Sequence, residues 1–224
     1  MVVIINNNIM KNKNILTIET SLGRIFLAII KDSAFFSKSI DSPRSIEQDI
    51  NHLLESLISE AMIQFNEIDL ILVSVGPGSF TGTRIGISVA KALSISTGAK
   101  IIGFSNFDSI LHQFLASNKY KKTKKVEVLI KGPGDEFYKK IFNDYKPEKK
   151  NYLITKKELQ GKISNNIIAG SFLNTLKIKN YYFCLPDQLG IKNIVKKIKE
   201  PLKAYNFREP EPIYIKEHYA KKYD

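Results

Sequence analysis

The residues best placed to do chemistry lie in one short stretch, Gly76-Pro77-Gly78-Ser79-Phe80-Thr81-Gly82-Thr83-Arg84-Ile85-Gly86. It follows an apolar run, Leu70 to Val75, and leads into a helical pattern. Strand, glycine-rich turn and helix can together hold an anion, because the unpaired N–H groups at a helix start and the positive end of its dipole favour phosphate. Gly76, Gly78, Ser79 and Thr81 are the candidate anion-binding loop. The glycines permit tight or left-handed backbone, and the hydroxyls can cap the helix. The stretch lacks a P-loop lysine and the spacing of a dinucleotide fingerprint. A tight strand-to-helix turn with its cap is therefore the reading that physics alone favours. Metal chemistry has less support. The three histidines, His52, His112 and His218, are scattered, and Cys184 is the single cysteine. A metal centre needs several such ligands to converge, so none is expected.

The elements that must position this loop can be read from periodicity. Ile15-Leu16-Thr17-Ile18 and Ile25 to Ile30 are strands joined by Thr20-Ser21-Leu22-Gly23, a hairpin; Ala34 to Ile40 is a third strand. Ser42-Pro43 opens a helix whose Ile46, Ile50, Leu53, Leu54, Leu57, Ile58, Ala61 and Met62 share one face. Leu70 to Val75 has the uninterrupted apolar character of a strand covered on both faces. A helix from about Gly82 to Thr97, a strand at Lys100 to Gly103 and a helix at Asn106 to Ala116 follow. Beyond a basic connector, Lys119 to Lys125, a second hairpin forms from Val126–Ile130 and Glu136–Phe142. Short strands at Ile167–Gly170 and Tyr181–Phe183 and a helix from about Ile191 to Lys199, stopping before Pro201, complete the pattern. The order predicts an α/β fold with a mixed sheet: a first lobe at 15–118 and a smaller second lobe at 119–224. Residues 1–14 read as an N-terminal extension, with Met10 an alternative start.

Composition bounds what such a fold can do. A chain of 224 residues, 43% hydrophobic, can bury a core. One cysteine excludes a disulfide framework and fits a reducing cytoplasm. Met1 to Ile5 is too short for a secretory signal, and no apolar run nears the roughly 18 residues of a membrane span. A soluble, cytoplasmic protein with no membrane contact is expected. The net charge of +12 is uneven: residues 1–118 carry −1 and residues 119–224 carry +13. A lysine-rich half could face RNA phosphates. Thirty lysines against four arginines also fit plain compositional drift, because arginine is the better bidentate phosphate ligand.

The helix after the loop carries a second signal. Gly82, Gly86 and Ala90 fall four apart and leave a shallow groove; Ile85, Val89 and Leu93 form an apolar ridge beside it. Glycine inside a helix costs about 1 kcal/mol relative to alanine, so close packing must offset the loss. The packing partner is either the lobe's own sheet or a helix of another chain. With Ile46, Ile50, Leu53 and Leu57 of the earlier helix, these residues are the candidate partner-binding face.

The glycine-rich segment after an apolar strand resembles the signature of the TsaB family. Ile15-Leu16-Thr17-Ile18-Glu19-Thr20-Ser21 is similar to that family's opening strand, and Lys100 to Ser105 to the strand after the signature helix. Glu136-Phe137-Tyr138 and Pro212-Ile213-Tyr214-Ile215-Lys216 resemble its later motifs. The resemblance implies an actin/hexokinase-like (ASKHA, ribonuclease H-like) two-lobed fold with a reduced second lobe. It implies a noncatalytic subunit that pairs with TsaD, the metal-bearing enzyme that transfers threonylcarbamoyl to an adenosine beside the tRNA anticodon, or with a second copy of itself. It also implies TsaE, a small ATPase, as a further partner, tRNA reached through the complex, and no cofactor in this chain, with ATP and metal held by the partner subunits. Glu19 and Ser21 occupy the turn that binds phosphate in active members of this fold, where a carboxylate and a hydroxyl could hold Mg²⁺ and a nucleotide; a structural turn is the favoured reading. Lys131-Gly132-Pro133-Gly134-Asp135 stands where the family has an acidic turn before the second hairpin's return strand. The alternatives from other classes are an ASKHA-type ATP-dependent phosphotransferase, which would need an intact phosphate turn in both lobes, and a glycoprotease-like peptidase, for which no Ser-His-Asp or metal set is present.

Overall fold

The computed structural model describes residues 13–117, 125–161, 166–198 and 210–215. The basic connector except Lys125, the extension up to residue 12, and His218 lie outside them.

Strand β1 (Ile15–Glu19) pairs antiparallel with β2 (Arg24–Lys31), which pairs antiparallel with β3 (Ala34–Asp41). Asp32 and Ser33, both left-handed (φ 47° and 73°), make the tight β2–β3 turn. The chain then forms helix α1 (Ile46–Glu60) and inserts β4 (Leu70–Ser74) parallel to β1. Helix α2 (Phe80–Thr97) returns it to β5 (Lys100–Phe104), parallel to β4, giving the order β3-β2-β1-β4-β5. Helix α1 starts later than Pro43 suggests. Ser45 is the N-cap, accepting a hydrogen bond from the Gln48 amide, so Pro43 stays outside the helix.

Helix α3 (Asn106–Ala116) leads to a second sheet. It comprises β6 (Lys125–Lys131), β7 (Glu136–Asn143), β8 (Lys146–Pro147), β9 (Tyr152–Thr155), β10 (Ile167–Gly170) and β11 (Tyr181–Phe183), with the short helix α4 (Lys156–Gly161) after β9. The order is β11-β10-β6-β7-β8, with β9 also paired to β7. Its centre repeats the first sheet: an antiparallel hairpin, β6–β7, with β10 parallel to β6 and β11 parallel to β10. The repeat is reduced in one place. Where α2 links β4 to β5, β10 and β11 are joined by a loop, in which the Asn174 side chain donates to Ile178 O and accepts from Ile178 N (2.9 and 2.8 Å). The fold is the actin/hexokinase-like one.

Helix α5 (Gln188–Lys197) crosses back to the first sheet. Helices α1 and α2 cover one face of that sheet, over Leu16, Ile18, Ile71 and Val73. Ile191, Ile194, Val195 and Ile198 cover the other, over Ile15, Phe26, Leu70 and Leu72. Two-sided burial is the physical reason that β1 and β4 lack polar–apolar alternation. Among the described residues no helix is long and apolar enough to cross a membrane.

Candidate functional site

The glycine-rich loop folds onto the β1–β2 turn. Ser79 caps α2 by accepting from the Gly82 amide (3.2 Å), and its own N–H donates to Ser21 O (2.7 Å). Gly76 is left-handed (φ 86°), a conformation that favours glycine. Gly78, Gly82 and Gly86 all face Thr20–Ser21 so closely that an added Cβ would collide with Ser21 O, Thr20 O and Thr20 Oγ1 respectively. The Thr20 hydroxyl donates to Gly82 O (2.6 Å).

Under this contact lies a buried polar network. Asn106 Nδ2 donates to Ser21 Oγ (2.6 Å) and Pro77 O (3.0 Å), and Ser74 Oγ donates to Asn106 Oδ1 (2.8 Å). Glu19 Oε1 accepts the Ser21 amide (2.6 Å), the Ser21 hydroxyl (2.8 Å) and the Leu22 amide (3.1 Å). A turn whose N–H groups could face a phosphate thus encloses the chain's own carboxylate. Arg24 is the counter-ion, its Nε 3.7 Å from Glu19 Oε2; it also donates to Pro186 O and stands 4.6 Å from the Phe26 ring centre. Burial pushes the Glu19 carboxyl up, opposed by Arg24 and the turn's hydrogen bonds, and pushes the Arg24 guanidinium down.

This packing corrects the buried part of the expected partner face. Gly82, Gly86 and Ala90 are buried against the chain's own first hairpin and sheet, as are Ile50 and Leu57 in the core beneath α1. The glycines are needed for intrachain approach, and nothing from another chain can enter that groove. Ile46, Leu53, Ile85, Val89 and Leu93 are half-buried at the edge of the same core. Within the anion-loop candidates, Gly76 is buried, Gly78 half-buried, and Ser79 and Thr81 exposed.

The opposite side of α2, which the sequence reading did not consider, faces out. Thr81, Arg84, Ser88, Ala92, Ile95 and Ser96 are exposed, and Arg84 is their single charge. The readable signal was composition, since Arg84 and Lys91 are the only charged residues of the 18 in α2. Ile95 is 85% exposed. Between α1 and α2 runs a groove of about 320 Å³ lined by Glu47, Ile50, Asn51, Arg84, Ile85, Ser88 and Val89. A larger cavity, about 530 Å³, lies in the second lobe away from this cluster; its Glu127 is held by Asn166 (2.7 Å) and Lys139 (3.1 Å).

The remaining candidate groups do not converge. His52 is exposed on α1 and His112 buried on α3. Burial, with the Lys197 ammonium adding to it, pushes the His112 imidazole down to about 4. Burial pushes the Cys184 thiol up to about 12, so it is not a thiolate at neutral pH. Among the described residues no group of three or more His, Cys, Asp or Glu could hold a metal ion.

Comparison with known proteins places this geometry. The family model described as "TsaD: tRNA N6-adenosine threonylcarbamoyltransferase" matches residues 41–170. The tRNA threonylcarbamoyladenosine biosynthesis protein TsaB of Buchnera aphidicola (Acyrthosiphon pisum) is 29% identical over 208 residues, 86% of this chain and 93% of that protein. The tRNA N6-adenosine threonylcarbamoyltransferase of Ehrlichia chaffeensis is 33% identical over 119 residues, but these make up 33% of that longer protein. Among solved structures, YeaZ from Pseudomonas aeruginosa superposes with a TM-score of 0.72 over 90% of this chain and 99% of YeaZ, at 16% identity.

Proposed function

We propose, from the premise that this chain belongs to the TsaB branch of the family defined by the threonylcarbamoyltransferase model, that it serves tRNA threonylcarbamoyladenosine formation as a noncatalytic docking subunit. Involvement in that pathway follows from the family. The finer role rests on one observation above all: the outward face of α2 is built from small and apolar side chains with Arg84 as its lone exposed charge. A solvated helix ordinarily carries charge on its outer face, whereas small residues allow another helix to approach closely.

The partner that fits is the TsaD-type transferase. Its family model matches this chain across both α1 and α2, so the two subunits have comparable helices to pack together. A second copy of this chain would compete for the same face. TsaE, ATP and the metal belong, on this reading, to the assembled complex, and tRNA is reached through it. The Glu19 carboxylate in the β1–β2 turn supports the noncatalytic part, because the Ser21 and Leu22 amides are already engaged. A phosphate would have to displace a buried, Arg24-paired group, which is costly. The cytoplasm, where tRNA is modified, is the expected location.

The test is reconstitution. The full chain should co-elute with TsaD, and transfer of threonylcarbamoyl to tRNA by TsaD and TsaE should collapse when the chain is left out. ATP or peptide hydrolysis by the purified chain alone would point to the phosphotransferase or peptidase reading and overturn this one.

A further inference from the structure

Three residues from two separate sequence motifs meet on the surface beside the groove. Phe80 and Arg84 come from the glycine-rich segment and Tyr214 from the C-terminal motif. The Phe80 and Tyr214 ring centres are 5.7 Å apart. The Arg84 guanidinium carbon lies 3.8 Å from the Phe80 ring centre and 6.0 Å from that of Tyr214. Arg84 Nε donates to the Tyr214 hydroxyl (3.2 Å). Residues 210–215 are held as a strap across the end of the first sheet: Ile213 N–H donates to Val75 O (2.8 Å), and Pro210 sits over Gly103, where an added Cβ would be 3.3 Å from Pro210 Cβ.

Neither the fold nor the polar network uses this cluster. The two rings remain 50% and 55% exposed, and Arg84 also lines the α1–α2 groove. Aromatic residues and arginine are the types that dominate binding energy at interface centres. An arginine stacked on a ring, with Nε already engaged, keeps its terminal N–H groups for a planar acceptor, and a carboxylate matches that fork in two bonds. A phosphate chain fits less well, since Arg84 is the sole cation lining the groove and Glu47 lines it too.

We infer that Phe80, Arg84 and Tyr214 are the anchor of the docking face, with Arg84 receiving a carboxylate from a helix of the transferase partner and the 210–215 strap holding Arg84 in position. The inference rests on the docking role proposed above. Tyr214 acts as a positioning residue: its hydroxyl and ring limit the rotamers of Arg84, so the entropy of ordering that long side chain is lost before the partner arrives.

The experiment measures the Kd of the full chain for TsaD by titration, with thermal unfolding of each variant alongside. Arg84→Ala should raise Kd by about thirtyfold, as for an interface anchor. Arg84→Lys should rescue little, because an ammonium keeps the charge but not the fork. Tyr214→Ala should weaken binding by about tenfold, and Tyr214→Phe, which removes only the hydroxyl, by less. The salt dependence of Kd should become shallower in Arg84→Ala. If the unmodified chain binds TsaD and all four variants bind within about twofold of it, the anchor assignment is wrong. If Arg84→Ala alone loses affinity, the strap has no role. If the unmodified chain does not bind at all, it is the docking function itself that fails.

Discussion

Gly82 and His112 are the residues whose surroundings lead to the clearest expectations. An exposed helical glycine changed to alanine usually gains up to about 1 kcal/mol from propensity. At Gly82 the new methyl would meet the Thr20 carbonyl, and backbone cannot rotate out of the way. Gly82→Ala should therefore destabilise by about 1–3 kcal/mol, as overpacking does, in a urea titration; a more stable variant would mean that the hairpin contact is absent. Gly86→Ala should cost less, because it meets the Thr20 hydroxyl, which can turn away at the loss of one hydrogen bond. His112 gives a pH dependence. Its folded value, about 4, lies below the ordinary imidazole value of 6.5, so the unfolded chain binds the proton more readily. Stability from this group is fully present above pH 6.5 and is lost as pH falls toward 4. Between pH 7.5 and pH 5 the loss should be about 2 kcal/mol, and His112→Leu should flatten that part of the profile. A native profile already flat across this range would show that the imidazole is not buried neutral.

Single elements were the most legible level. The strands and long helices of the first lobe announced themselves by period or by an unbroken apolar run, and the β1–β2 and β4–α2 turns by glycine; the Asp32-Ser33 turn was not read. Helix α1 was placed too early because Pro43 was taken as a first-turn residue, whereas Ser45 is the residue whose hydroxyl caps the helix. Strands β8 and β9 and helix α4 were not seen: they fall in the lysine-rich stretch after β7, where no apolar run or helical period stands out. The small-residue stripe of α2, Gly82, Gly86 and Ala90, was assigned to a partner although it packs internally. Glycines at fourfold spacing signal close approach, but spacing alone does not say whether the approaching backbone is the chain's own. Burial decides it: the glycine stripe meets Thr20 and Ser21, and the uncharged stripe opposite faces out. A charge placed on that outer stripe should separate folding from docking. Ala92→Glu should leave the unfolding midpoint within about 2 °C, as an exposed substitution does, yet should abolish co-elution with TsaD. Co-elution at native affinity would put the partner elsewhere.

At the scale of the molecule, the chain does not divide at its basic connector as cleanly as its sequence does. Helix α5 follows the second sheet in order but closes the core of the first, and the 210–215 segment crosses the same sheet's end. Neither return was legible, because amphipathic periodicity reports that a face is buried and not what buries it. The Arg24 bond to Pro186 O, just ahead of α5, fastens the same crossing from below, and α3 packs against both α5 and the second sheet. The physical consequence is coupling. The first sheet without α5 would expose Ile15, Leu70 and Leu72 on one face, each fully buried in the complete fold, and a sheet with one bare apolar face is not stable in water. The two sheets should therefore unfold together. Ile191, fully buried between α5 and this face, tests the point: Ile191→Ala should cost about 2–5 kcal/mol from lost burial and the cavity left behind. The loss should appear in one cooperative transition, with the same midpoint by far-ultraviolet circular dichroism and by tyrosine fluorescence, to which Tyr138, Tyr152, Tyr181 and Tyr182 of the second sheet contribute. Had the second sheet been an independent unit, its tyrosines would report an unchanged midpoint while the helical signal shifted, and the coupling through α5 would be refuted.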